Sequence, residues 1–315
     1  MSAEFNWFPG HMNKTLKNIE EKIPVVDLVI EILDARAPYS SRNLTFSKIL
    51  KNKPILYVLS KADIADPNIT KEWVEFYEKK NNTVMVLEDK QKNIVKPLID
   101  LINKATKEKQ EKDKAKGMVN SLINVLVIGI PNVGKSTFIN RLIKNKSVKA
   151  GNKPGLTRGI QLIHLSQFIS LLDTPGVLPA KLENETVATN ICAINSIKED
   201  VYPKERVAGK LMQYLFNHYE GLIENHYKIS PRLQRPIQIT DTFIIFEMIG
   251  KVRKWYMNDD LLDYDRVIDA FMRDIIANEF NKVSFERILE VVPEEMEKAS
   301  KIKNEKAIED ISDLW

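Results

Sequence analysis

The stretch VLVIGIPNVGKSTFINRLI, residues 125–143, leaves the surrounding fold little freedom. An apolar, β-branched run leads into a loop and a helical pattern leads out of it. Between them stands G-x-x-x-x-G-K-[ST]. In that context Gly129 and Gly134 let the backbone wrap an anion with its N–H groups inward, at a helix N-terminus whose dipole favours negative charge. Lys135 brings a point charge to the β- and γ-phosphates, and Ser136 offers a hydroxyl to magnesium. Asn132, Val133 and Thr137 are expected to line the same nucleotide. At average residue frequencies a chance match in a chain this long arises on the order of once in a hundred sequences.

The loop sits in the second half of an alternating pattern. Strands are expected at 25–33, 54–60, 83–88, 122–129, 160–165 and 168–173, and helices near 11–22, 41–51, 70–80, 92–116 and 136–145. Apolar strands separated by helices predict an α/β fold with a mostly parallel sheet and crossover connections. IQLIHL (160–165) alternates apolar and polar residues, which suits an edge strand, one able to run antiparallel. The Lys-rich run 104–117 reads as a solvated helix ended by Gly117, or as a linker. Beyond residue 180 the spacing is helical. The expected organisation is therefore an α/β nucleotide-binding domain over 1–180 and an all-helical domain over 181–315.

Two further motifs carry chemistry. LLDTPG (171–176) ends an apolar strand, placing Asp173 to act on magnesium through a water and leaving the Gly176 N–H open to a γ-phosphate. Thr157, in the intervening KPGLTRG, is the candidate switch threonine, joining magnesium when a γ-phosphate is present. SKAD (60–63) follows a strand in the manner of a guanine reader. Guanine shows a ring N–H and an exocyclic amine side by side, and the Asp63 carboxylate accepts both at once, which adenine does not permit. Lys61 lays its aliphatic stem along the base plane. Ser60 stands where such tetrads usually carry Asn, and its shorter side chain is not expected to bridge base and phosphate loop.

The order (base reader, phosphate loop, switch threonine, DTPG) resembles that of the circularly permuted GTPases. With WFPGHM (7–12), DARAP (34–38), KPGLT and AINSIKED (193–200), the chain is similar to the ribosome biogenesis GTPase A family, large-subunit assembly factors of bacteria with a mitochondrial branch. The resemblance implies GTP hydrolysis with magnesium and binding to a precursor of the large ribosomal subunit and its rRNA. It implies a P-loop GTPase domain of permuted motif order followed by the helical domain. LEDKQKN (87–93) departs from the family's Ser-containing guanine-supporting loop, and together with Ser60 this bears on nucleotide affinity.

Hydrolysis needs a group that the usual position does not supply. Val177 follows the DTPG glycine where Ras-type enzymes place a water-orienting Gln, and valine does not hydrogen-bond water. Asn132 matches the residue that helps hold a monovalent cation in potassium-stimulated relatives, so potassium is a candidate cofactor that offsets charge between the β- and γ-phosphates. The family likeness also suggests that His11 orients water when the particle is bound; the other reading has His11 capping the following helix and packing beside Trp7 and Phe8. Catalytic roles are thus expected of His11, Lys135, Thr157 and Gly176.

Composition limits the partners. Residues 1–180 hold 28 Lys and Arg against 18 Asp and Glu, whereas 181–315 hold 19 against 25. The basic first part suits a polyanion, and 141–159 contains no acid at all. KVRKWY (251–256) reads either as a stacking and phosphate patch or as a helix face with Trp255 and Tyr256 in the core. One cysteine, Cys192, excludes an internal disulfide and a Cys-rich zinc site. No apolar run suits a membrane span and no signal-peptide pattern opens the chain, so a cytoplasmic monomer is expected. Two competing readings remain: a GTPase of small-subunit assembly or RNA modification, and a nucleotide-gated RNA-binding switch with negligible hydrolysis of its own.

Overall fold

A computed structural model describes residues 11–43, 46, 49, 50, 53–118, 121–144, 149–150, 160–179, 182, 184–257 and 261–294, without the side chains of 11–14 and 149–150. Seven strands form one sheet: β1 Leu28–Asp34, β2 Ile55–Ser60, β3 Thr83–Val86, β4 Ile123–Ile128, β5 Lys149–Ala150, β6 Gln161–His164 and β7 Ile169–Asp173. Their spatial order is β3-β2-β1-β4-β7-β6-β5. The five strands from β3 to β7 are parallel, while β6 runs antiparallel to β7 and β5 antiparallel to β6. The alternating IQLIHL is thus antiparallel, but it lies one place in from the edge, with the short β5 outside it.

The parallel strands are buried on both faces. In β2, Leu56 and Val58 join an apolar cluster containing Leu98 and Ile102 of α3 (Val95–Ala105). Tyr57 and Leu59 point the other way, to Ile69, Trp73 and Tyr77 of α2 (Pro67–Lys79). Tyr57 and Tyr77 stack with ring centroids 4.4 Å apart. This period-two division places one helix on each side of the sheet. α1 (His11–Lys22) adds Ile19 to the Leu98 cluster.

Boundaries differ from expectation for local reasons. Pro24 opens a short 3-10 turn, so β1 begins at Leu28, not at Val25. Asp66 caps α2 by accepting from the N–H groups of Asn68 and Ile69, with Pro67 in the first turn, which starts the helix three residues early. The expected helix 92–116 is two: α3 stops at Thr106, whose hydroxyl bonds back to the Ile102 carbonyl at 2.8 Å, and α4 (Lys107–Ala115) follows. α4 buries no residue, and its Lys-rich turns end before Gly117 as expected. Of 41–51, Phe46, Ile49 and Leu50 are helical.

α5 (Lys135–Lys144) leaves the glycine loop, and beyond β7 every described element is helical: α6 Glu185–Ala193, α7 Lys204–His218, α8 Leu222–Tyr227, α9 Thr242–Arg253, α10 Tyr264–Ala277 and α11 Ile288–Val291, with short 3-10 turns between them. A single bridge, Tyr256 to Leu262, joins α9 to α10. These helices share the sheet's apolar core: Val187, Val291 and Val292 pack in the Trp73 cluster, and Ile191, Cys192 and Leu211 in the other. Cys192 is a buried free thiol, and burial pushes it well above the usual thiol range. None of the described helices is long and apolar enough to cross a membrane.

Candidate nucleotide-binding site

From β1 the chain builds outward to β2 and β3 on one side, while β4 and β7 lie on the other. Such a reversal opens a crevice at the carboxyl ends of the strands, which is where α/β sheets bind ligands. Four of the sequence motifs emerge there: DARAP from β1, SKAD from β2, the glycine loop from β4 and DTPG from β7.

The phosphate side is closely packed. Lys135 and Asp173 are both buried, 6% and 2% exposed, and the Lys135 Nζ lies 2.6 Å from the Asp173 carboxylate. Gly134 has φ +90°, a backbone conformation that side chains rarely adopt, and a Cβ there would stand 3.2 Å from the Ser60 hydroxyl. At Gly176 a Cβ would meet the Pro131 backbone at 3.1 Å, so DTPG lies directly on the glycine loop. Val133 is buried, while Ser136 and Thr137 are exposed in the first turn of α5. Val177 is wholly buried, and its carbonyl accepts from the Asn43 amide at 2.7 Å.

SKAD reaches across β1 to the glycine loop. The buried Ser60 hydroxyl lies 2.9 Å from the Leu33 carbonyl and also bonds the Val133 carbonyl. Serine therefore does touch the loop, through backbone oxygens. Lys61 donates to the Asn132 carbonyl at 2.6 Å and to Asp34 Oδ2 at 2.8 Å. Arg36 grips the same carboxylate through two guanidinium nitrogens, at 2.9 and 2.8 Å. Burial acts to raise the Asp34 carboxyl, but the Arg36 and Lys61 cations outweigh it and hold it down at about 2. Asp63 accepts from the Asp89 N–H at 3.0 Å.

Sequence reasoning missed what the helical region contributes. Asn132 donates its amide to the Asn195 carbonyl, and Ser196 donates its hydroxyl to the Pro131 carbonyl at 2.8 Å. Arg36 reaches Asn278, and the Phe285 N–H donates to the Arg36 carbonyl at 2.7 Å. Next to it the buried Glu286 carboxylate accepts from the N–H groups of Tyr39 and Ser40, the Ser40 hydroxyl and the Asn190 amide. Burial pushes its carboxyl up to about 7 against those hydrogen bonds. A Glu inside the apolar pattern NKVSFERILEVV was the available signal, but Ser40 lies 246 residues away and Asn190 lies 96. Thr157 lies outside the described residues, as does the side chain of His11.

The crevice thus brings Ser60, Lys61, Asn132, Val133, Gly134, Lys135, Asp173 and Gly176 to one edge of the sheet. The exposed Ser136 hydroxyl and the Asp173 carboxylate are oxygen donors of the kind magnesium takes, so the residues fit that ion.

Comparison with known proteins agrees with this arrangement. A family model described as 50S ribosome-binding GTPase matches residues 124–213. Ribosome biogenesis GTPase A of Bacillus pumilus is 36% identical over 281 residues, covering 89% of this chain and 98% of that protein. The protein of the same name from Thermotoga maritima is 30% identical over 295 residues, covering 93% of this chain and 98% of that one. Among solved structures, that of GDP-bound TM YlqF has a TM-score of 0.57 at 25% identity and covers 85% of this chain and 98% of its own. A permuted GTPase fold, a glycine loop facing a guanine-type tetrad, and relatives matched along nearly their whole length establish that the chain belongs to the ribosome biogenesis GTPase A family.

Proposed function

We propose that this GTPase binds a precursor of the large ribosomal subunit, through its rRNA, and couples its nucleotide state to a late maturation step. In this reading, residues 1–180 bind and hydrolyse GTP and 181–315 form the helical unit that meets the particle. The protein acts as a cytoplasmic monomer. One observation carries the coupling: the helical region holds the phosphate loop directly, through Asn195 on Asn132 and Ser196 on Pro131. A change at the phosphates then bears on the helices without an intermediary.

The roles belong to the same proposal. Asp63 reads the guanine edge, Lys61 lies along the base, and Ser60 ties that tetrad to the loop. Gly134 and its neighbours, Val133 and Thr137 included, cradle the phosphates, and Lys135 exchanges Asp173 for phosphate oxygens. Magnesium would be held by Ser136, Thr157 and Asp173 and would supply charge neutralisation to the phosphates. The Gly176 N–H faces the γ-phosphate. With Val177 buried, water is oriented from elsewhere, by His11 on the particle, and Asn132, whose amide nitrogen donates to Asn195, would hold a potassium ion that offsets phosphate charge. The buried Val177 also favours slow turnover in the free protein.

The test is GTP turnover by the full chain, in potassium and in sodium, with purified large-subunit precursor particles, with small subunits and alone. Stimulation by the large-subunit precursor in potassium is expected, and His11→Ala should lose the stimulation while keeping GTP affinity. Equal turnover in all conditions would overturn the reading.

A further inference from the structure

The loop that departs most from the family's pattern, LEDKQKN, is held by a residue on the far side of the glycine loop. Arg141 of α5 donates to the Glu88 carbonyl at 2.8 Å and to the Gln91 carbonyl. Those two carbonyls flank a turn, closed by the Gln91 N–H on Glu88 at 3.2 Å. Inside that turn the Asp89 N–H points to the Asp63 carboxylate at 3.0 Å. Residues 88–90 are exposed and belong to no strand or helix, so no apolar packing fixes them. On its N-terminal side the loop is anchored by Leu87, buried and paired with the Leu59 carbonyl at 2.8 Å and the Ala62 N–H at 3.2 Å. Beyond that, among the described residues the turn is tied by two side chains, the Asp63 carboxylate and the Arg141 guanidinium, and Arg141 is the one that comes from outside SKAD.

We propose that Arg141 is a positioning residue for guanine selection, holding the 88–91 turn where the Asp89 N–H orients the Asp63 carboxylate toward the base. The proposal rests on Asp63 reading the base, as put forward above.

The chemistry suits the task. A planar guanidinium presents several donors in a fixed fork, so it holds two carbonyls at a set spacing, which a flexible ammonium does not do. A carboxylate offers about four lone-pair sites, so one N–H from Asp89 leaves both oxygens open to the paired guanine donors. The orientation of Asp63 is what discriminates. Stacking on Lys61 and charge at the phosphates serve any purine nucleotide, whereas the two-point contact distinguishes a base with the 2-amino group from one without. Placement on α5 adds a ruler: Lys135 begins the helix and Arg141 lies six residues on, about 9 Å along its axis at 1.5 Å per residue. One rigid element thereby spaces the phosphate grip from the base reader. A backbone N–H held from outside replaces the support that a serine in this loop would give, which is how the chain keeps a guanine reader with LEDKQKN in place.

The experiment compares GDP, IDP and XDP binding by calorimetry for the full chain and for Arg141→Ala, Arg141→Lys and Asp63→Asn. Wild type should prefer GDP to IDP, which lacks the 2-amino group. Arg141→Ala should cut that preference about tenfold by weakening GDP, with IDP affinity within about twofold of wild type. Arg141→Lys should retain part of the preference through a single tie. Asp63→Asn should transfer preference to XDP, because an amide donates to the 2-oxo group that replaces the amine. If Asp63→Asn switches and Arg141→Ala keeps the wild-type GDP-to-IDP ratio, the role of Arg141 is overturned while the base reading stands. An equal loss of GDP and IDP overturns it too, as a role in stability alone. If Asp63→Asn gains no XDP affinity, the base reading falls and this proposal with it. Should Arg141→Ala be too unstable to titrate, the same ratio measured on Arg141→Lys decides, an unchanged ratio counting against the proposal.

Discussion

On the phosphate side of the crevice, Lys135 and Asp173 are buried against each other and Gly176 lies on the Pro131 backbone. On the SKAD side, proposed to meet the base, Lys61 and Asp63 are half-buried and residues 88–90 are exposed. The two ends of one site are thus built to different tolerances. Where backbone meets backbone at van der Waals distance, only particular residues fit. Where main-chain N–H and C=O groups do the holding, side chains are free to vary. Ser60 and LEDKQKN, the departures from the family's pattern, both fall on the second side, and the structure supplies backbone partners for each.

Three substitutions test that contrast. Lys135→Ala should have the largest effect, because breaking a buried ion pair by removing one member costs about 3–5 kcal/mol. Urea denaturation should show the loss, and GTP binding should disappear with it; unchanged stability would mean the pair is well solvated and the two sides are alike. Gly176→Ala places a methyl against main-chain atoms that do not rotate away, so an overpacking cost of about 1–3 kcal/mol is expected. Turnover should fall by more than tenfold while base preference is kept, and a variant with normal turnover would remove the steric half of the contrast. Ser60→Ala should be mildest: one hydroxyl link to the loop is lost, worth about 1 kcal/mol, giving roughly fivefold weaker GDP binding by titration. A Ser60→Ala loss as large as that of Lys135→Ala would erase the distinction.

What the sequence made legible follows the same physics. The glycine loop, DTPG and SKAD are short strings whose chemistry is local, and the alternation of strand and helix put each of them at the end of a strand in a mostly parallel sheet. Gly117 as a helix end was equally local. Contacts between distant positions were not legible. Asn132 with Asn195 spans 63 residues, Arg141 with Glu88 spans 53, and Glu286 with Ser40 spans 246. Nothing in hydrophobic period or turn chemistry pairs such positions. Element ends erred where caps decided them, as at Asp66, or where a threonine hydroxyl bent back on its own helix, as at Thr106.

Pro131 is touched from two points of the chain that follows β7, Gly176 on its backbone nitrogen and Cα and Ser196 on its carbonyl. The nineteen residues that separate them make a strap of chain with both ends at the same proline. A swing of the later helices that leaves the strap intact must therefore pivot after Ser196, between α6 and α7. A larger excursion must release that hydroxyl together with the Asn195 carbonyl on Asn132 and the Glu286 carboxylate on Ser40.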